Sequence, residues 1–385
     1  MSADPRAISD DPVAFAPPRL TRRRALLGAA ALLAPLVPTF SHARTRPAAP
    51  PPGTILLNGN ENPYGPSPAA RQAILASTGE APRYAYASID ALVAQLAGRE
   101  GVPAAQVLIG SGSGELLRMA ALLASTSLPG SELVASKPTY EELPDFAGRM
   151  GLQVKWVAPD SAHRHDLQAM RAAVTERTRL VYVCNPNNPT GTAVSRDALE
   201  SFVRSVPAAT TVVVDEAYID FVDGSGMGTV AGLVHKVPNL IVLRTFSKIH
   251  GLAGLRIGYS ICSEALAKRF ADLSLVWPNT MGLDAALASC NDHEFLTATR
   301  AAILVDRARV HATLDRMGLE HTDAQGNFVF FDTRIPVQQF RERMLAQGIK
   351  VGRPFDGYDT WSRTTIGRPE EVDRFLAALP AALQA

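Results

Sequence analysis

The sequence has few cysteines and no excess of charge of either sign. Only three cysteines occur among its 385 residues, Cys184, Cys262 and Cys290, and none belongs to a CxxC pair or to a metal-ligand spacing. Neither a disulfide framework nor a metal site is therefore expected, and we predict that all three are buried as small hydrophobic side chains. Lys and Arg together number 38 and Asp and Glu 37, so the composition indicates no nucleic-acid partner.

Long apolar runs are also scarce, and the one near the N-terminus is short. Three arginines at residues 22–24 precede an apolar run over residues 25–37, and Ser41-His42-Ala43 follows as a small-x-small cleavage pattern. This is the layout of a signal peptide, and the run is too short and too interrupted by proline for a membrane span. Residues 1–43 are therefore predicted to be a signal peptide, with an uncleaved anchor or a wrongly assigned start codon as the alternatives.

The arginine cluster resembles the twin-arginine type of signal, which exports proteins that are already folded. Residues 44–53 are rich in proline and are predicted to form a linker. Together these features predict an exported, periplasmic protein that has no stable association with the membrane once the signal is removed.

The remainder of the chain, from Leu56 onward, alternates short β-branched runs with longer stretches rich in alanine and leucine. Continuous apolar runs such as Val212-Val213-Val214 are typical of strands that are buried on both faces. This pattern predicts an α/β fold with a mostly parallel sheet covered by helices. In such sheets, ligands bind at the carboxyl ends of the strands.

Four of the strand-like runs end in residues that can do chemistry. The run VLIG ends in the glycine-rich GSGSGE, and VYVC leads into NPNNPTGT. The run VVVDEAY contains Asp215 and Tyr218 at its end, and LIVLRTF leads into Ser247 and Lys248. If these strands belong to one sheet, all four groups face one crevice.

This combination of groups suits one cofactor. Glycines just before a helix that begins near Glu115 predict a phosphate site, although a glycine-rich turn is more often only a turn. A lysine among apolar neighbours, such as Lys248, has a lowered pKa and can form an imine with a carbonyl, although most lysines are simply exposed. An acid such as Asp215 can keep a pyridine nitrogen protonated. Together these residues indicate pyridoxal 5′-phosphate.

The chain from about residue 56 to residue 380 resembles the fold-type I pyridoxal-phosphate aminotransferases, and within them the histidinol-phosphate aminotransferase group. The resemblance implies a large domain over residues 85–285 with a mostly parallel seven-stranded sheet, a smaller α+β domain built from residues 54–84 and 286–385, and a homodimer. The stretches that carry it are LNGNENPYGPSP, VLIGSGSGELL, KPTYEEL, CNPNNPTGT, VVVDEAYIDF, TFSKIHGLAGLRIGY and SRTTIG.

The resemblance also implies roles for individual residues. Lys248 would hold the cofactor aldehyde as an imine and then act as the general acid and base. Asp215 would pair with the pyridine nitrogen, and Tyr140 would stack on the ring. The cofactor phosphate and the ring oxygen would be bound by a larger set: Ser113, Gly114, Ser247 and Arg256 for the phosphate, Tyr64 for the phosphate across a dimer interface, and Asn188 and Tyr218 for the ring oxygen.

The substrate-binding residues depart from the pattern of this group. Arg363, in SRTTIG, matches the arginine that binds the substrate carboxylate, with Asn188 beside it. A second arginine usually follows a stretch like GIKV, but here Gly352 occupies that place and Arg353 comes one residue later. In an extended segment, one residue turns the side chain to the opposite face. We therefore expect no strong preference for histidinol phosphate over aromatic amino acids, with 2-oxoglutarate as the acceptor. The alternative is that the local loop rearranges and Arg353 reaches the same place, so Arg353 is also a candidate substrate-binding residue.

Two other functions share this scaffold. A lyase or epimerase would use the same Lys248 and Asp215. A non-catalytic cofactor-binding module, as in certain transcription regulators, would carry an N-terminal DNA-binding domain, whereas this chain begins with a signal-like segment. The sequence favours an enzyme that moves an amino group between an L-amino acid, or histidinol phosphate, and a 2-oxo acid.

Overall fold

The computed structural model describes residues 51–126, 130–224, 226–274 and 276–384. The predicted signal peptide, residues 1–43, and the greater part of the predicted linker lie outside the described residues. The strands are β1 (Ile55–Leu57), β2 (Val107–Gly110), β3 (Glu132–Ser136), β4 (Gln153–Val157), β5 (Thr178–Cys184), β6 (Thr211–Asp215), β7 (Leu240–Thr245), β8 (Gly258–Cys262), β9 (Phe328–Asp332), β10 (Ile349–Val351) and β11 (Trp361–Thr365).

Helices alternate with these strands, and several begin at a capping residue. Ser195, Asn279 and Asp292 each accept a hydrogen bond from a backbone N–H three residues later, which satisfies a donor that a helix start leaves free. The helices are α1 (Pro68–Ala76), α2 (Tyr86–Glu100), α3 (Ser113–Ser125), α4 (Glu142–Arg149), α5 (Leu167–Ala173), α6 (Arg196–Ser205), α7 (Glu264–Ala271), α8 (Thr280–Cys290), α9 (His293–Arg316), α10 (Val337–Ala346) and α11 (Pro369–Leu383).

The main sheet has seven strands in the order β2-β8-β7-β6-β5-β3-β4. Strand β8 runs antiparallel to both of its neighbours, and the other pairings are parallel. Val212, Val213 and Val214 on central β6 are fully buried, as their continuous apolar run predicted. The expectation of a mostly parallel, helix-covered seven-stranded sheet is therefore confirmed.

Separate hydrophobic clusters line the two faces of this sheet, and a third surrounds the smaller sheets. These are the parallel pair β1–β10 and the antiparallel pair β9–β11. The third cluster joins Ile55 and Leu57 to side chains of α9, α10 and α11, and it also contains Tyr218 and Phe221 from beyond β6. It thus unites the two chain segments that were assigned to a smaller domain, whose boundaries stay a prediction.

The three cysteines are buried free thiols, as predicted. No helix in the described ranges is long and apolar enough to cross a membrane.

Candidate active site

The sheet topology brings the predicted site residues to one place. Strands β2, β5, β6 and β7 run in the same direction, so their carboxyl ends share one edge of the sheet. A cavity of about 360 Å³ lies at this edge. Its wall contains every predicted site residue except Tyr64: Ser113, Gly114, Tyr140, Asn188, Asp215, Tyr218, Ser247, Lys248, Arg256, Arg353 and Arg363.

One end of the cavity is built to hold an anion. Helix α3 begins there at Ser113, and Gly112 before it has φ +81°, a backbone conformation that favours glycine. The Arg256 guanidinium lies so close that a Cβ at Gly112 would be 2.5 Å from its Nη2. The Ser247 hydroxyl accepts a 2.9 Å hydrogen bond from Thr245, which leaves its own proton to donate. A helix N-terminus, a guanidinium and a hydroxyl together suit a phosphate dianion.

Lys248 projects into the middle of the cavity just beyond β7. Its Nζ lies 3.1 Å from the carbonyl oxygen of Asn60 and 5.3 Å from the centre of the Tyr218 ring. Burial, and next the positive charge of Arg363, lower the pKa of the Lys248 amine to about 8. A substantial fraction is therefore neutral near pH 7.5, which is the form that attacks an aldehyde.

Asp215 is the last residue of β6 and is almost fully buried. Its carboxylate accepts hydrogen bonds from the Tyr182 hydroxyl at 3.2 Å and the Ala217 amide at 3.1 Å. Burial raises its pKa to about 6, while these two donors and Lys248 act in the opposite direction. The group is mostly ionised near neutral pH, and a protonated ring nitrogen would be a suitable partner for it.

The cavity wall also carries Arg363, whose guanidinium is fixed by two short hydrogen bonds. Nη1 donates to Asn188 Oδ1 and Nη2 to the Asn58 carbonyl, each at 2.7 Å. The buried Nε has no partner in the described chain, so it is a donor that a ligand can use. Because the Asn188 carbonyl is occupied by Arg363, its NH₂ group is the part that can donate to a bound ligand.

Tyr218 is held by a residue that the motif analysis did not single out. The Asn60 side chain donates to the Tyr218 oxygen at 3.0 Å, so the phenol keeps its proton for another acceptor. Burial also raises the pKa of Tyr218, which keeps it protonated. Asn60 is buried with φ +52°, a conformation that asparagine tolerates better than most residues. In the sequence, Asn60 could have been noticed because it lies inside the stretch LNGNENPYG, which carries part of the family resemblance.

Arg353 lies on the cavity wall, as in the alternative in which the loop brings its side chain to the substrate site. Whether it binds substrate stays a prediction. The alternation rule assumed a continuing extended strand, but β10 ends at Val351. Gly352 then donates to the Arg363 carbonyl at 2.9 Å, and a Cβ on it would be 2.4 Å from that oxygen. Arg353 is therefore the residue of this loop whose side chain reaches the cavity.

The two remaining tyrosines differ in position. Tyr140, partly exposed, lies on the cavity wall, and burial raises its pKa. Tyr64 is half-buried outside the cavity, with the Arg368 guanidinium 5.9 Å from its ring centre. Its role toward a second subunit stays a prediction.

The residues present fit pyridoxal 5′-phosphate in three respects. At the anion-binding end of the cavity, Gly112 has no side chain, and the Arg256 guanidinium occupies the space beside it. A buried carboxylate and an amine of lowered pKa face the same cavity. Donors from Asn188 and Tyr218 are oriented by Arg363 and Asn60.

Comparison with known proteins agrees with this chemistry. The family described as aminotransferase class I and II matches residues 52–379. The chain belongs to this family. It is 39% identical over 332 residues to histidinol-phosphate aminotransferase 2 of Pseudomonas aeruginosa, covering 86% of this chain and 89% of that protein. It is 36% identical over 344 residues to an aromatic amino acid aminotransferase of Streptomyces avermitilis, covering 88% and 93%.

A solved structure shares the fold. The histidinol-phosphate aminotransferase of Sinorhizobium meliloti, in complex with pyridoxal-5′-phosphate, superposes with a TM-score of 0.79 at 28% identity, covering 86% of this chain and 90% of that one. The protein is therefore a fold-type I aminotransferase that uses pyridoxal 5′-phosphate.

Proposed function

We propose that the aminotransferase takes the amino group from aromatic L-amino acids and passes it to 2-oxoglutarate. The observation that carries this proposal is the cavity wall, which Arg363 shares with the aromatic side chains of Tyr140 and Tyr218. The nearby cluster of Phe355, Phe330, Tyr358 and Trp361 is packed against Arg363 but does not line the cavity. An arginine for a carboxylate in a cavity with aromatic side chains suits an amino acid with an aromatic side chain.

A second candidate substrate is histidinol phosphate. Arg353 adds a cation to the same cavity wall, and a phosphate would be a suitable partner for it. The names of the relatives include both substrate classes, so the family assignment alone does not distinguish them.

We assign the following roles in the reaction to residues of the chain. Arg363 would bind the substrate carboxylate and thereby orient the α carbon. Lys248 Nζ would take the proton from that carbon and deliver it to the aldehyde carbon of the cofactor. When bound, the cofactor supplies an electron sink for the negative charge that develops there. Asp215 would keep the ring nitrogen protonated, and Asn188 and Tyr218 would donate to the ring oxygen.

The test compares substrates directly. The loaded enzyme is mixed with single amino acids without an acceptor, and the absorbance change of the bound cofactor identifies the donors. Next, kcat/KM for phenylalanine and histidinol phosphate is measured in the wild type and in Arg353→Ala, with Arg149→Ala, an exposed arginine outside the cavity, as the control. A preference for histidinol phosphate above about a hundredfold that collapses only in Arg353→Ala would replace our proposal with the second candidate.

We further propose that the enzyme is a homodimer. Tyr84, Tyr86 and Trp277 are 78%, 58% and 56% exposed and contact one another with ring centres 5.0–6.2 Å apart. An exposed cluster of aromatic rings is typical of a protein interface. Trp277→Glu should convert a dimer to monomers in light scattering after gel filtration, with Leu75→Glu, also an exposed apolar position, as the control. A monomeric wild type at micromolar concentration would contradict this proposal.

We also propose that the enzyme is exported folded through the twin-arginine route. The support is the arginine cluster at residues 22–24 with its modest apolar run. Replacing Arg22 and Arg23 by lysine should keep the precursor inside the cell. An undiminished periplasmic activity in that variant would refute this route.

A further inference from the structure

The loop after β10 is tied to the segment around Tyr140 by two ion pairs. Arg353 Nη2 lies 2.6 Å from Glu141 Oε2, and Lys137 Nζ lies 2.5 Å from Asp356 Oδ2. The acid of the first pair directly follows Tyr140 in the chain, and Tyr140 and Arg353 both line the cavity.

The two arginines of the cavity are held in different ways. Arg363 is buried and bound to neutral oxygens of Asn188 and Asn58. Arg353 has a side chain that is 53% exposed, and its partner Glu141 has one that is 31% exposed. Both guanidinium groups contact the Phe355 ring, with carbon-to-centre distances of 4.5 Å for Arg353 and 5.4 Å for Arg363.

We propose that Glu141 is a specificity-determining residue, because it competes with the second anionic group of a substrate for Arg353. The inference rests on the proposed function, in which donor and acceptor occupy the same cavity in turn. With an aromatic amino acid bound, Arg353 stays paired with Glu141 and stacked on Phe355. With a dianionic substrate bound, Arg353 leaves Glu141 and pairs with the distal carboxylate or phosphate of the substrate. Water then solvates the Glu141 carboxylate, because this side chain is partly exposed.

The exposure of the pair makes such an exchange feasible. An exposed ion pair is weak because water solvates both charges, so its loss to a competing anion costs little. A buried pair such as Arg244 and Glu216, 2.8 Å apart, could not exchange partners in this way. Removing the competitor should therefore strengthen dianion binding by roughly two- to fivefold, the range for an exposed pair.

The experiment measures binding to the cofactor-loaded enzyme through the absorbance of the bound cofactor. The probes are glutarate, which has two carboxylates, and 3-phenylpropionate, which has one carboxylate and an aromatic ring; neither can react. The variants are Glu141→Gln, Arg353→Gln and the double variant. Glu142→Gln is the matched control, because Glu142 pairs with Arg118 at 2.6 Å and lies outside the cavity wall.

Glu141→Gln is expected to lower the Kd of glutarate two- to fivefold without tightening 3-phenylpropionate, and Glu142→Gln to change neither. The gain should vanish when Arg353 is also replaced by glutamine. The proposal is overturned if wild type does not bind glutarate, if Glu141→Gln leaves glutarate binding unchanged or weaker, or if the gain persists without Arg353. A failure of phenylalanine or 2-oxoglutarate to react would instead overturn the proposed substrates, since the binding of unreactive probes does not depend on turnover.

Discussion

The lowered pKa of Lys248 makes the rate of cofactor loading a test of the site. A lysine with a pKa of 10.5 is neutral in about one molecule in a thousand at pH 7.5, whereas with the pKa of about 8 found for Lys248 the neutral fraction is about a quarter. The buried amine should therefore react with the cofactor aldehyde roughly two hundred times faster than an exposed lysine of equal nucleophilicity.

The assay adds pyridoxal 5′-phosphate to cofactor-free enzyme between pH 6.5 and 10.5 and follows the absorbance of the attached cofactor. The rate should rise with pH and level off with a midpoint near 8. Arg363→Met should move the midpoint upward, because the Arg363 charge is the second cause of the lowered pKa after burial. Lys248→Ala should yield no cofactor that borohydride fixes covalently.

Two results would refute this reasoning. A loading rate that still rises tenfold per pH unit through pH 10 would mean that the lysine keeps its ordinary pKa. Borohydride fixation at the site in Lys248→Ala would mean that another residue holds the cofactor.

The same shift predicts how the stability of the cofactor-free enzyme depends on pH. Between pH 8 and 10.5 the unfolded chain binds a proton at Lys248 that the folded chain does not, so this group makes stability rise with pH through that window. The full effect is about 3 kcal/mol. Lys248→Met should accordingly raise the free energy of unfolding below pH 8 and flatten this rise, as measured by urea denaturation; an unchanged profile would contradict the shift.

Two further changes test the groups that orient and bind the cofactor. Asn60→Asp replaces the group that donates to the Tyr218 oxygen by an acceptor, so the phenol should donate to the new carboxylate and no longer to the cofactor. The loss of such a hydrogen bond costs about 1.5–3 kcal/mol. It should therefore raise the pH midpoint of the cofactor absorbance by about one to two units. An unshifted midpoint would count against this orientation. Gly112→Ala should weaken cofactor binding by about tenfold or more, because its Cβ would lie 2.5 Å from Arg256, whereas Gly114→Ala, with 3.9 Å to the same group, should have little effect in an equilibrium titration.

The grouping of the candidate cofactor-binding residues around one cavity could be predicted because the sheet fixes their positions. Asp215 ends β6, and Lys248 lies three residues beyond the end of β7. A residue at the end of a buried parallel strand has its position set by the ladder of backbone hydrogen bonds on both sides. Once the strands were recognised in the sequence, it followed that their carboxyl ends lie at one edge of the sheet. Asp215, Lys248 and the start of α3 were therefore expected to lie close together.

The residues that orient these groups could not be predicted in the same way. Tyr182 lies within β5 and has the pattern of an ordinary core residue, yet its hydroxyl reaches Asp215. Asn60 lies between β1 and α1, and its amide and side chain bond to Thr365, 305 positions away. No periodicity in the sequence encodes such a contact, because it exists only after the smaller sheets have packed beside the main one.

The one-residue displacement of the second arginine, from position 352 to Arg353, is a more specific case. The alternation of side chains along a strand was applied to residues beyond the end of β10. Side chains alternate only while the strand continues, and β10 has ended before Gly352. The amide of Gly352 then bonds to the Arg363 carbonyl so closely that no side chain fits between them. The space that a side chain at this position would need is thus taken by the backbone of Arg363. The second cation can enter the cavity only from the next residue, on an exposed loop where Glu141 and Phe355 hold it. If Arg353 binds substrate as we propose, the preference of the enzyme for one substrate over another depends on these loop contacts, which the position of Arg353 in the sequence does not show.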